Sequence, residues 1–589
     1  MGIYLNPDNS DFQIALNSKI FVDKTNLIAF TNSMALTEQR FISVSRPRRF
    51  GKSMAANMLT AYYSRGCDSE TMFSHLKIAE NTDFKKHLNQ YNVIRLEMQS
   101  FLTDAEDMDD MLRMLQKAVL FDLTDEFPDV RYFDATKLIR SLKDVFAKYK
   151  VPFIFIIDEW DCIFRTHKND EESQKKYLDF LRNLLKDQSY VALTYMTGIL
   201  PIKKYGKHSA LNMFYEYSIL NAKPIEEFTG FTQEEVKALC EQYQVSYDEM
   251  KKWYDGYTVN GISVYNPKSV VESIMRGTFS NYWTQTETYE ALKPYIQMNY
   301  DGLRMKVECL IAGEKIPVNT MKYQNDMTTF ESADDVLTLL VHLGYLTTER
   351  GTQEPVNEIK RNVDENSGIG STLTDAADYS GTGSFPVDDL SSVNCMIPNS
   401  EVRQEFINCI EDGGWENVMD AIRNSEELLR LTVAKKEEEI ARRIAKVHMD
   451  NASILQYNGK AAQLKIASRL ARPSSILDEQ VWTCDETSLS CTISLAYYSA
   501  KRSYTIVREM PAGRGFADLV FVPDRNCSAP AMIVELKWNK SVKTALDQIR
   551  RQDYVACLER YTGEILLVGV NYDKNSKEHT CKIEQIRKY

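Results

Sequence analysis

The sequence predicts an α/β protein with two separate sheets, and three observations support this fold class. Apolar runs of strand length alternate with helix-length segments through the first 200 residues, which is typical of a parallel sheet. A second group of short strands follows residue 500. Between the two groups, residues 351–394 are rich in Gly, Ser, Thr and Asp and lack apolar periodicity, which predicts a disordered acidic loop.

Each sheet is predicted from runs of apolar residues bounded by polar ones. The runs of the first sheet are Arg40–Ser45, Tyr91–Met98, Pro152–Ile157 and Tyr190–Met196. After residue 475 the pattern predicts a helix, then strands, and a further helix near Thr544–Leu558. These strands are Ser503–Arg508, Ala517–Val522, Ala531–Leu536 and Glu564–Val570. We therefore expect a large N-terminal α/β unit and a smaller C-terminal one.

Composition limits the class of protein. The 589 residues correspond to about two to four domains. Hydrophobic residues make up 43% and charged residues 26%, which excludes collagen-like, fully disordered and disulfide-scaffold classes. No apolar run approaches the roughly 20 residues of a membrane span, the opening residues carry no export signal, and the eleven cysteines form no C-x-x-C pair. We expect a cytoplasmic protein with reduced thiols and no membrane partner.

The net charge of −12 is unevenly distributed along the chain. Residues 475–589 are close to neutral, so the acidity lies in residues 1–474. This balance argues against nonspecific nucleic-acid affinity over the whole surface, and any such contact must be local.

The first predicted strand runs into a phosphate-binding loop, R-P-R-R-F-G-K-S, which opens a helix-like segment. Gly51 lets backbone N–H groups approach a phosphate, Lys52 reaches its oxygens, and Ser53 can ligate Mg²⁺ at the helix N-terminus. Arg46 stands where the motif usually has its leading glycine. The pattern still predicts a nucleotide site that takes ATP and Mg²⁺.

The third predicted strand ends in two adjacent carboxylates. Because ligand sites lie at the C-terminal ends of parallel strands, we expect Asp158 to hold Mg²⁺ and Glu159 to polarise an attacking water. A core strand with a solvated acidic turn is the alternative. Thr197 follows the next strand; it can sense the γ-phosphate or serve as an ordinary turn residue.

Three arginines precede Gly51 in the phosphate loop. Arg46, Arg48 and Arg49 can neutralise the charge of ATP, or act as clamps on a neighbouring subunit of a homo-oligomer. For Arg48 a solvated basic turn is the alternative. We place a nucleotide-binding role on Arg49.

Motifs spread over residues 1–350 together make this region similar to a known family. They are F-V-D-K-T at 21–25, S-R-P-R-R-F-G-K-S at 45–53, I-D-E-W-D at 157–161, F-T-G-F-T at 228–232, W-Y-D-G-Y at 253–257, Y-N-P at 265–267, Y-W-T at 282–284 and G-Y-L at 344–346. The region resembles the AAA-ATPase-like family of bacterial proteins. The resemblance implies a P-loop NTPase core, a helical lid and a winged-helix-like connector around Asp335–Thr348. It also implies that Arg46 is not a disabling change, because that family commonly carries this form of the loop.

The second predicted chemical centre lies in a hairpin of the C-terminal unit. One turn separates Asp518 from Glu535, so a hairpin brings both carboxylates to the same end of adjacent strands. Alternation along a strand places Glu535 and Lys537 on one face. Two acids and a lysine suit Mg²⁺ and a water that attacks a phosphodiester. A half-buried hairpin with a surface Glu–Lys pair is the alternative, disfavoured because a carboxylate after M-I-V is costly to bury alone.

Flanking polar residues extend this centre. Glu486 on the preceding helix is a candidate third metal ligand, and donors on or beside the following helix are expected near a nucleic-acid backbone: Lys540, Lys543, Gln548, Arg550 and Arg551. The pattern D-x(n)-E-x-K over about residues 475–570 resembles the PD-(D/E)XK nuclease superfamily. The resemblance implies a restriction-endonuclease-like α/β domain that cleaves nucleic acid, DNA in the first place, with Mg²⁺.

These observations divide the chain into five predicted segments: a P-loop AAA-ATPase-like core at 1–225, a lid and winged-helix-like region at 226–350, the acidic loop at 351–394, a helical connector at 395–474 and a nuclease-like domain at 475–589. We expect ATP binding and hydrolysis to be coupled to Mg²⁺-dependent phosphodiester cleavage. A nucleotide-driven switch or adaptor, whose nuclease-like domain only binds nucleic acid or protein, is the alternative.

Overall fold

The computed structural model describes residues 2–202, 211–283, 292–349, 392–411, 422–447 and 493–587, apart from short stretches inside the third and last of these ranges. The larger sheet has five parallel strands in the order β2-β3-β4-β1-β5. They are β1 (Phe41–Ser45), β2 (Asn92–Glu97), β3 (Phe153–Asp158), β4 (Val191–Gly198) and β5 (Tyr215–Tyr217). The four predicted strands are confirmed. The three-residue β5 is an addition, too short to stand out as an apolar run.

The larger sheet has an apolar core on each of its two faces. In β3, Phe153, Phe155 and Ile157 join one core, and Ile154 and Ile156 join the other. Burial on both faces explains why the strand reads as one continuous apolar run. The helices of this unit are α1 (Ser10–Leu16), α2 (Asn26–Met34), α3 (Lys52–Tyr63), α4 (Glu70–Phe73), α5 (Phe84–His87), α6 (Met98–Asp104), α7 (Met108–Glu126), α8 (Leu138–Tyr149), α9 (Cys162–Thr166) and α10 (Glu171–Leu185).

A small helical lid follows at residues 231–276. Its elements are β6 (Phe231–Thr232), α11 (Gln233–Tyr243), α12 (Tyr247–Tyr254), β7 (Tyr257–Val259), β8 (Ile262–Tyr265) and α13 (Pro267–Arg276). Tyr254, Tyr257 and Tyr265 are buried in or beside it. Gly256 has a φ of +103°, and a Cβ at this position would lie 2.0 Å from the carbonyl oxygen of Pro398. Both the backbone angle and the close approach therefore require glycine.

The next segment combines helices with a three-stranded antiparallel sheet in the order β10-β11-β9. Its elements are α14 (Lys293–Ile296), α15 (Leu303–Ala312), β9 (Ile316–Asn319), α16 (Ala333–Leu343), β10 (Thr347–Glu349), β11 (Ser392–Met396) and α17 (Ser400–Glu411). A helix followed by two paired strands is the arrangement expected of a winged-helix-like connector. The acidic loop predicted at 351–394 ends earlier than expected, because residues 392–394 belong to β11. The rest of that loop lies outside the described residues.

The C-terminal unit is built on a mixed sheet in the order β12-β13-β14-β15-β16, in which only β14 and β15 run parallel. Its elements are α18 (Ser425–Val433), α19 (residues 437–447), β12 (Tyr504–Ala512), β13 (Gly515–Pro523), β14 (Ala531–Trp538), α20 (Val542–Arg551), β15 (Glu564–Asp573) and β16 (Glu578–Arg587). The predicted strands and the helix after β14 are confirmed. Sequence analysis missed β16, because its apolar residues are interrupted by charged ones.

Helices α18 and α19 pack on one face of the C-terminal sheet. Their apolar side chains share a core with its strands: Leu428, Leu431, Ile440 and Ile444. Thr432 Oγ1 lies 2.7 Å from Tyr497 Oη, and Glu437 Oε1 accepts a hydrogen bond from the Ile583 backbone at 2.8 Å. The sequence placed these helices in a connector at 395–474; the structure differs, because they complete the C-terminal core. Within the described ranges, no helix has the length and apolar character of a membrane span.

Glu401, near the start of α17, is buried against the lid, and we expect this burial to make the stability of the protein depend on pH. Burial raises its pKa to about 7 from the usual 4.5. Since the folded-state pKa lies above the unfolded one, folding favours the protonated form, and stability falls as pH rises from about 5 to 7, by up to about 3 kcal/mol. We predict that Glu401→Gln flattens this dependence and raises the unfolding temperature at pH 8 by a few degrees. The unfolding temperatures of wild type and Glu401→Gln at pH 5.5 and 8 test this prediction. An equal change with pH in the two proteins would contradict it.

Candidate functional sites

The phosphate loop connects β1 to α3 at the carboxyl end of the larger sheet. Arg49 and Gly51 have φ values of +66° and +83°, which turn the chain into the first turn of α3. Lys52 Nζ lies 3.0 Å from the carbonyl oxygen of Arg46 and 2.9 Å from that of Pro47. Burial lowers the pKa of Lys52 to about 8. The loop backbone therefore holds the ammonium group at the position where the motif predicts phosphate binding.

Asp158 and Ser53 meet beside this lysine. Asp158 Oδ1 accepts hydrogen bonds from Thr197 Oγ1 and, at 3.0 Å, from the Glu159 backbone. Burial opposes ionisation of Asp158, but Arg95 and the hydroxyls of Thr197 and Ser53 bring its pKa below the usual value. An ionised carboxylate in contact with a serine hydroxyl at a helix N-terminus fits a Mg²⁺ ligand pair.

The structure adds Arg95 to this site and gives Thr197 a specific contact. Arg95 Nη2 lies 3.3 Å from Asp158 Oδ2. Sequence reasoning missed it, although an arginine inside the apolar strand V-I-R-L is itself a signal, since a buried charge needs a partner. The hydroxyl of Thr197 points at Asp158. We infer that it orients this carboxylate, and a contact with the γ-phosphate stays a prediction.

The carboxylate expected to activate water is held by an arginine. Glu159 has a φ of +52°, and its Oε2 lies 2.8 Å from Arg165 Nη2. Arg165 Nε is also 3.4 Å from Asp161, whose Oδ2 accepts from the backbones of Ile199 and Leu200 at 3.0 and 2.9 Å. Asp161 thus ties the turn after β3 to the turn after β4. Neither Arg165 nor Asp161 was assigned a role from the sequence, and only the I-D-E-W-D motif pointed to Asp161.

A cavity of about 810 Å³ opens over the phosphate loop. Its charged and polar lining includes Lys52, Ser53, Glu159 and Arg165. Apolar residues of the N-terminal segment, the core and the lid also line it: Ile20, Phe21, Met58, Phe231, Pro267 and Val271. A cavity of this size with both charged and apolar lining fits a nucleoside triphosphate.

The three loop arginines have different surroundings. Arg46 is 1% exposed, and its Nη1 donates to the carbonyl oxygen of Tyr217 at 2.8 Å. It therefore fastens β1 to β5. Arg48 and Arg49 line the cavity, whereas Arg46 is absent from its described lining. The prediction that the Arg46 side chain neutralises ATP charge is wrong, because its guanidinium group is buried and donates a hydrogen bond to β5.

The C-terminal carboxylates converge on one face of the second sheet. Leu519 of β13 pairs with Val534 of β14, which brings the adjoining residues Asp518 and Glu535 to the same end of the hairpin. Lys537 Nζ lies 2.6 Å from Glu535 Oε1 and 3.0 Å from the carbonyl oxygen of Leu536, while Asp518 Oδ2 accepts from the Leu536 backbone at 2.7 Å. The predicted trio is thus a contiguous group.

Glu535 lacks a full set of partners at this site. It is fully buried, and within the described residues its Oε2 has no hydrogen-bond partner. Burial and, secondarily, Asp518 raise its pKa to about 7. A buried carboxylate oxygen without a donor is costly unless a cation faces it, so Asp518, Glu535 and the Leu536 carbonyl fit a hard divalent ion. The described ranges hold no cluster of three His, Cys, Asp or Glu side chains suited to a metal, and Glu486 lies outside them.

The residues expected to contact nucleic acid lie on and beside α20. Gln548 Nε2 donates to Tyr554 Oη at 3.1 Å. Burial raises the pKa of Tyr554, with smaller contributions from the Glu535 and Asp518 carboxylates. Four cationic residues are exposed: Lys540, Lys543, Arg550 and Arg551. Of these, Arg550 pairs with Glu584 of β16.

Comparison with known proteins supports both domains. Residues 10–207 match the family described as "Predicted AAA-ATPase", and residues 488–582 match the PD-(D/E)XK nuclease superfamily. The chain therefore combines an AAA-ATPase-like domain with a C-terminal PD-(D/E)XK nuclease superfamily domain. This combination supports an enzymatic role.

Two individual proteins share partial similarity. The chain is 26% identical over 280 residues to an uncharacterized protein in the vnfD 5′ region of Azotobacter chroococcum mcd 1, an alignment that covers 46% of this chain and 51% of that protein. It thus spans about half the length of that relative. The structure of the Aeropyrum pernix ORC2 protein in ADPNP–ADP complexes aligns over 69% of this chain and 98% of its own, at 10% identity and a TM-score of 0.30.

Proposed function

We propose that the protein binds and hydrolyses ATP and that its C-terminal domain cleaves phosphodiester bonds of nucleic acid, DNA in the first place, with Mg²⁺. The observation that carries this proposal is the convergence of Asp518, Glu535 and Lys537, with a buried Glu535 oxygen that lacks a hydrogen-bond partner among the described residues. A domain that only bound nucleic acid would have no chemical need for this trio. We further propose that the nucleotide state of the first domain controls cleavage by the second.

At the C-terminal site, each residue has a distinct role. Asp518 and Glu535 would hold Mg²⁺, which when bound polarises the scissile phosphate and acidifies a water. The Lys537 ammonium, fixed by Glu535 and the Leu536 carbonyl, offsets negative charge as it develops on the phosphate oxygens. The exposed cations Lys540 and Lys543 contact the nucleic-acid backbone and hold the strand in register.

At the nucleotide site, the chain supplies charge and orientation. Lys52 exchanges its loop carbonyls for the β- and γ-phosphate oxygens, and Arg49 adds a second positive charge. Ser53 and Asp158 would hold Mg²⁺, which neutralises phosphate charge when bound. Glu159, which lines the same cavity, orients the attacking water.

The direct test is cleavage by the purified full chain. Supercoiled plasmid, single-stranded DNA and RNA are incubated with Mg²⁺, with and without ATP, and with EDTA as the control. We expect cleavage that requires Mg²⁺ and changes with ATP. Intact ATP turnover without cleavage of any of these substrates would contradict the nuclease assignment and favour an ATP-driven adaptor that only binds.

Glu159→Gln separates nucleotide binding from hydrolysis. Glutamine keeps the size of the side chain but is a poor proton acceptor, so we predict ATP affinity within about threefold of wild type and turnover reduced by about 10²–10³-fold. Equilibrium binding and steady-state phosphate release measure the two quantities. Wild-type turnover in the variant would remove Glu159 from the mechanism.

A further inference from the structure

The start of α17 is docked tightly against the lid. The carbonyl oxygen of Pro398 occupies the space where any side chain at Gly256 would lie. Asn399 Nδ2 donates to the Asp255 carbonyl at 2.9 Å, and Asn399 Oδ1 accepts from the Val402 backbone at 3.0 Å. The W-Y-D-G-Y turn, which neither proposed active site uses, is therefore a docking surface for the chain that follows β11.

Glu401 is the central group of this contact. It is 1% exposed, and its Oε1 accepts from the backbones of Tyr282 and Trp283 at 2.7 and 2.8 Å. Ser269 Oγ of α13 lies 2.9 and 2.8 Å from its two oxygens. One turn later, Glu405 accepts from the side chain of Asn281. The Y-W segment of the lid thus depends on α17 for its backbone hydrogen bonds.

The same lid residues contact the phosphate loop. Arg49 Nη1 donates to the Tyr282 carbonyl at 3.4 Å, so the Tyr282 backbone bonds to Arg49 on one side and to Glu401 on the other. Asn266, the N-cap of α13, donates to the Arg48 carbonyl at 3.4 Å. Arg49 is therefore linked to Glu401 through Tyr282. Arg48 is linked to Glu401 through α13, which begins after Asn266 and carries Ser269.

On its other side, α17 lies in an apolar core that also takes a side chain from the C-terminal unit. Arg403 Nη1 donates to the Ile311 carbonyl of α15 at 2.8 Å. Val402, Phe406 and Ile407 of α17 share this core with Ile311, and Tyr498 packs against it. Tyr498 opens the 3₁₀ turn that leads into β12. The core around α17 thus extends to the segment of chain that enters the nuclease-like sheet.

We propose that Glu401 is a positioning residue that couples nucleotide binding at the phosphate loop to the C-terminal domain. This inference rests on the proposed ATP site. When phosphate binds Arg49, the Tyr282 carbonyl loses or shares its donor, and Glu401, bonded to the same peptide segment, passes the change to α17. Breaking this link removes the nucleotide response of α17 without removing a group that touches the nucleotide.

Hydrogen exchange of the full chain, with and without a nonhydrolysable Mg²⁺–ATP analogue, tests the link. In wild type we expect amide exchange in residues 400–411 to become at least about threefold faster at saturating analogue, because the segment bonded to Glu401 loses a hydrogen bond. Glu401→Ala is expected to lose this response while it still binds the analogue. Glu401→Gln keeps an oxygen for the Tyr282 and Trp283 backbones and is expected to retain it. Gln404→Ala is the matched control, because this exposed residue donates along α17 to Asn408 and, within the described ranges, has no side-chain hydrogen bond to the lid.

The outcomes separate this inference from the proposed function. Absence of analogue binding in wild type would overturn the ATP site and the coupling with it. Binding without any change in residues 400–411 would overturn the coupling alone. If Glu401→Ala does not fold, Arg49→Met at saturating analogue takes its place, and a response equal to wild type would overturn the route through Tyr282. Where wild type cleaves nucleic acid, loss of ATP dependence in Glu401→Ala with Mg²⁺-dependent cleavage retained is the further expected result; retained ATP dependence would contradict the coupling.

Discussion

Replacing Lys537 with alanine is expected to reduce Mg²⁺-dependent cleavage by about 10²–10⁴-fold and to leave ATP turnover unchanged. The reason is local. The ammonium group lies 2.6 Å from Glu535 and has no other carboxylate within ion-pairing distance in the described part of the chain. Its loss removes the side-chain cation that offsets the negative charge developing on the phosphate oxygens. Initial rates on plasmid DNA measure cleavage, and phosphate release measures ATP turnover in the same preparation.

A matched variant separates chemistry from binding at this site. Lys540 is exposed three residues further along, so Lys540→Ala removes one backbone contact and not the catalytic cation. We expect cleavage to fall no more than about tenfold and the slope of affinity against salt to decrease by about one. Equal losses in the two variants would mean that Lys537 acts by binding alone. Cleavage at the wild-type rate in Lys537→Ala would end the nuclease assignment of this trio.

Lys52→Ala is expected to weaken ATP binding by about 100-fold or more and to abolish measurable hydrolysis. This lysine donates to the Arg46 and Pro47 carbonyls, and it is the cation that the loop holds closest to the predicted β- and γ-phosphates. Alanine removes the charge, and it leaves the two loop carbonyls without their donor. Fluorescent-nucleotide binding and phosphate release measure the two effects.

The control for Lys52 is an exposed lysine of the same unit. Lys85 pairs with Glu70 at the surface, away from the cavity lining. Lys85→Ala is expected to match wild type in binding and hydrolysis. ATP turnover that survives in Lys52→Ala would contradict the phosphate-loop assignment. Under the proposed coupling, Lys52→Ala also loses the effect of ATP on cleavage.

The fold and the two chemical centres follow from short-range rules. Strand alternation alone placed Glu535 and Lys537 on one face, and the single turn between Asp518 and Glu535 predicted their meeting. The phosphate loop was read from consecutive residues. The grouping of the C-terminal trio is confirmed, because its geometry lies within one hairpin. The nucleotide-binding role of the phosphate loop stays a prediction.

The features that sequence reasoning missed depend on contacts between distant residues. Glu401 bonds to Tyr282, 119 residues away, and no local pattern marks a carboxylate as the acceptor for a remote backbone. The sequence likewise did not predict where the Arg46 side chain points. Its acceptor, the Tyr217 carbonyl oxygen, comes within reach only because β5 pairs with β1. Helices α18 and α19 read as charged and amphipathic, but their pattern does not say which sheet their apolar face will cover.

The antiparallel pairing of β10 with β11 has a consequence for protein engineering. Glu349 lies across from Asn394 in that ladder, so the ends of the intervening stretch are held as neighbours whatever its length. The entropic cost of closing such a stretch grows only with the logarithm of its length. We therefore expect the stretch between Glu349 and Asn394 to accept an inserted epitope or a fluorophore-bearing peptide at a small cost in stability. A label placed there would be remote in sequence from both catalytic motifs.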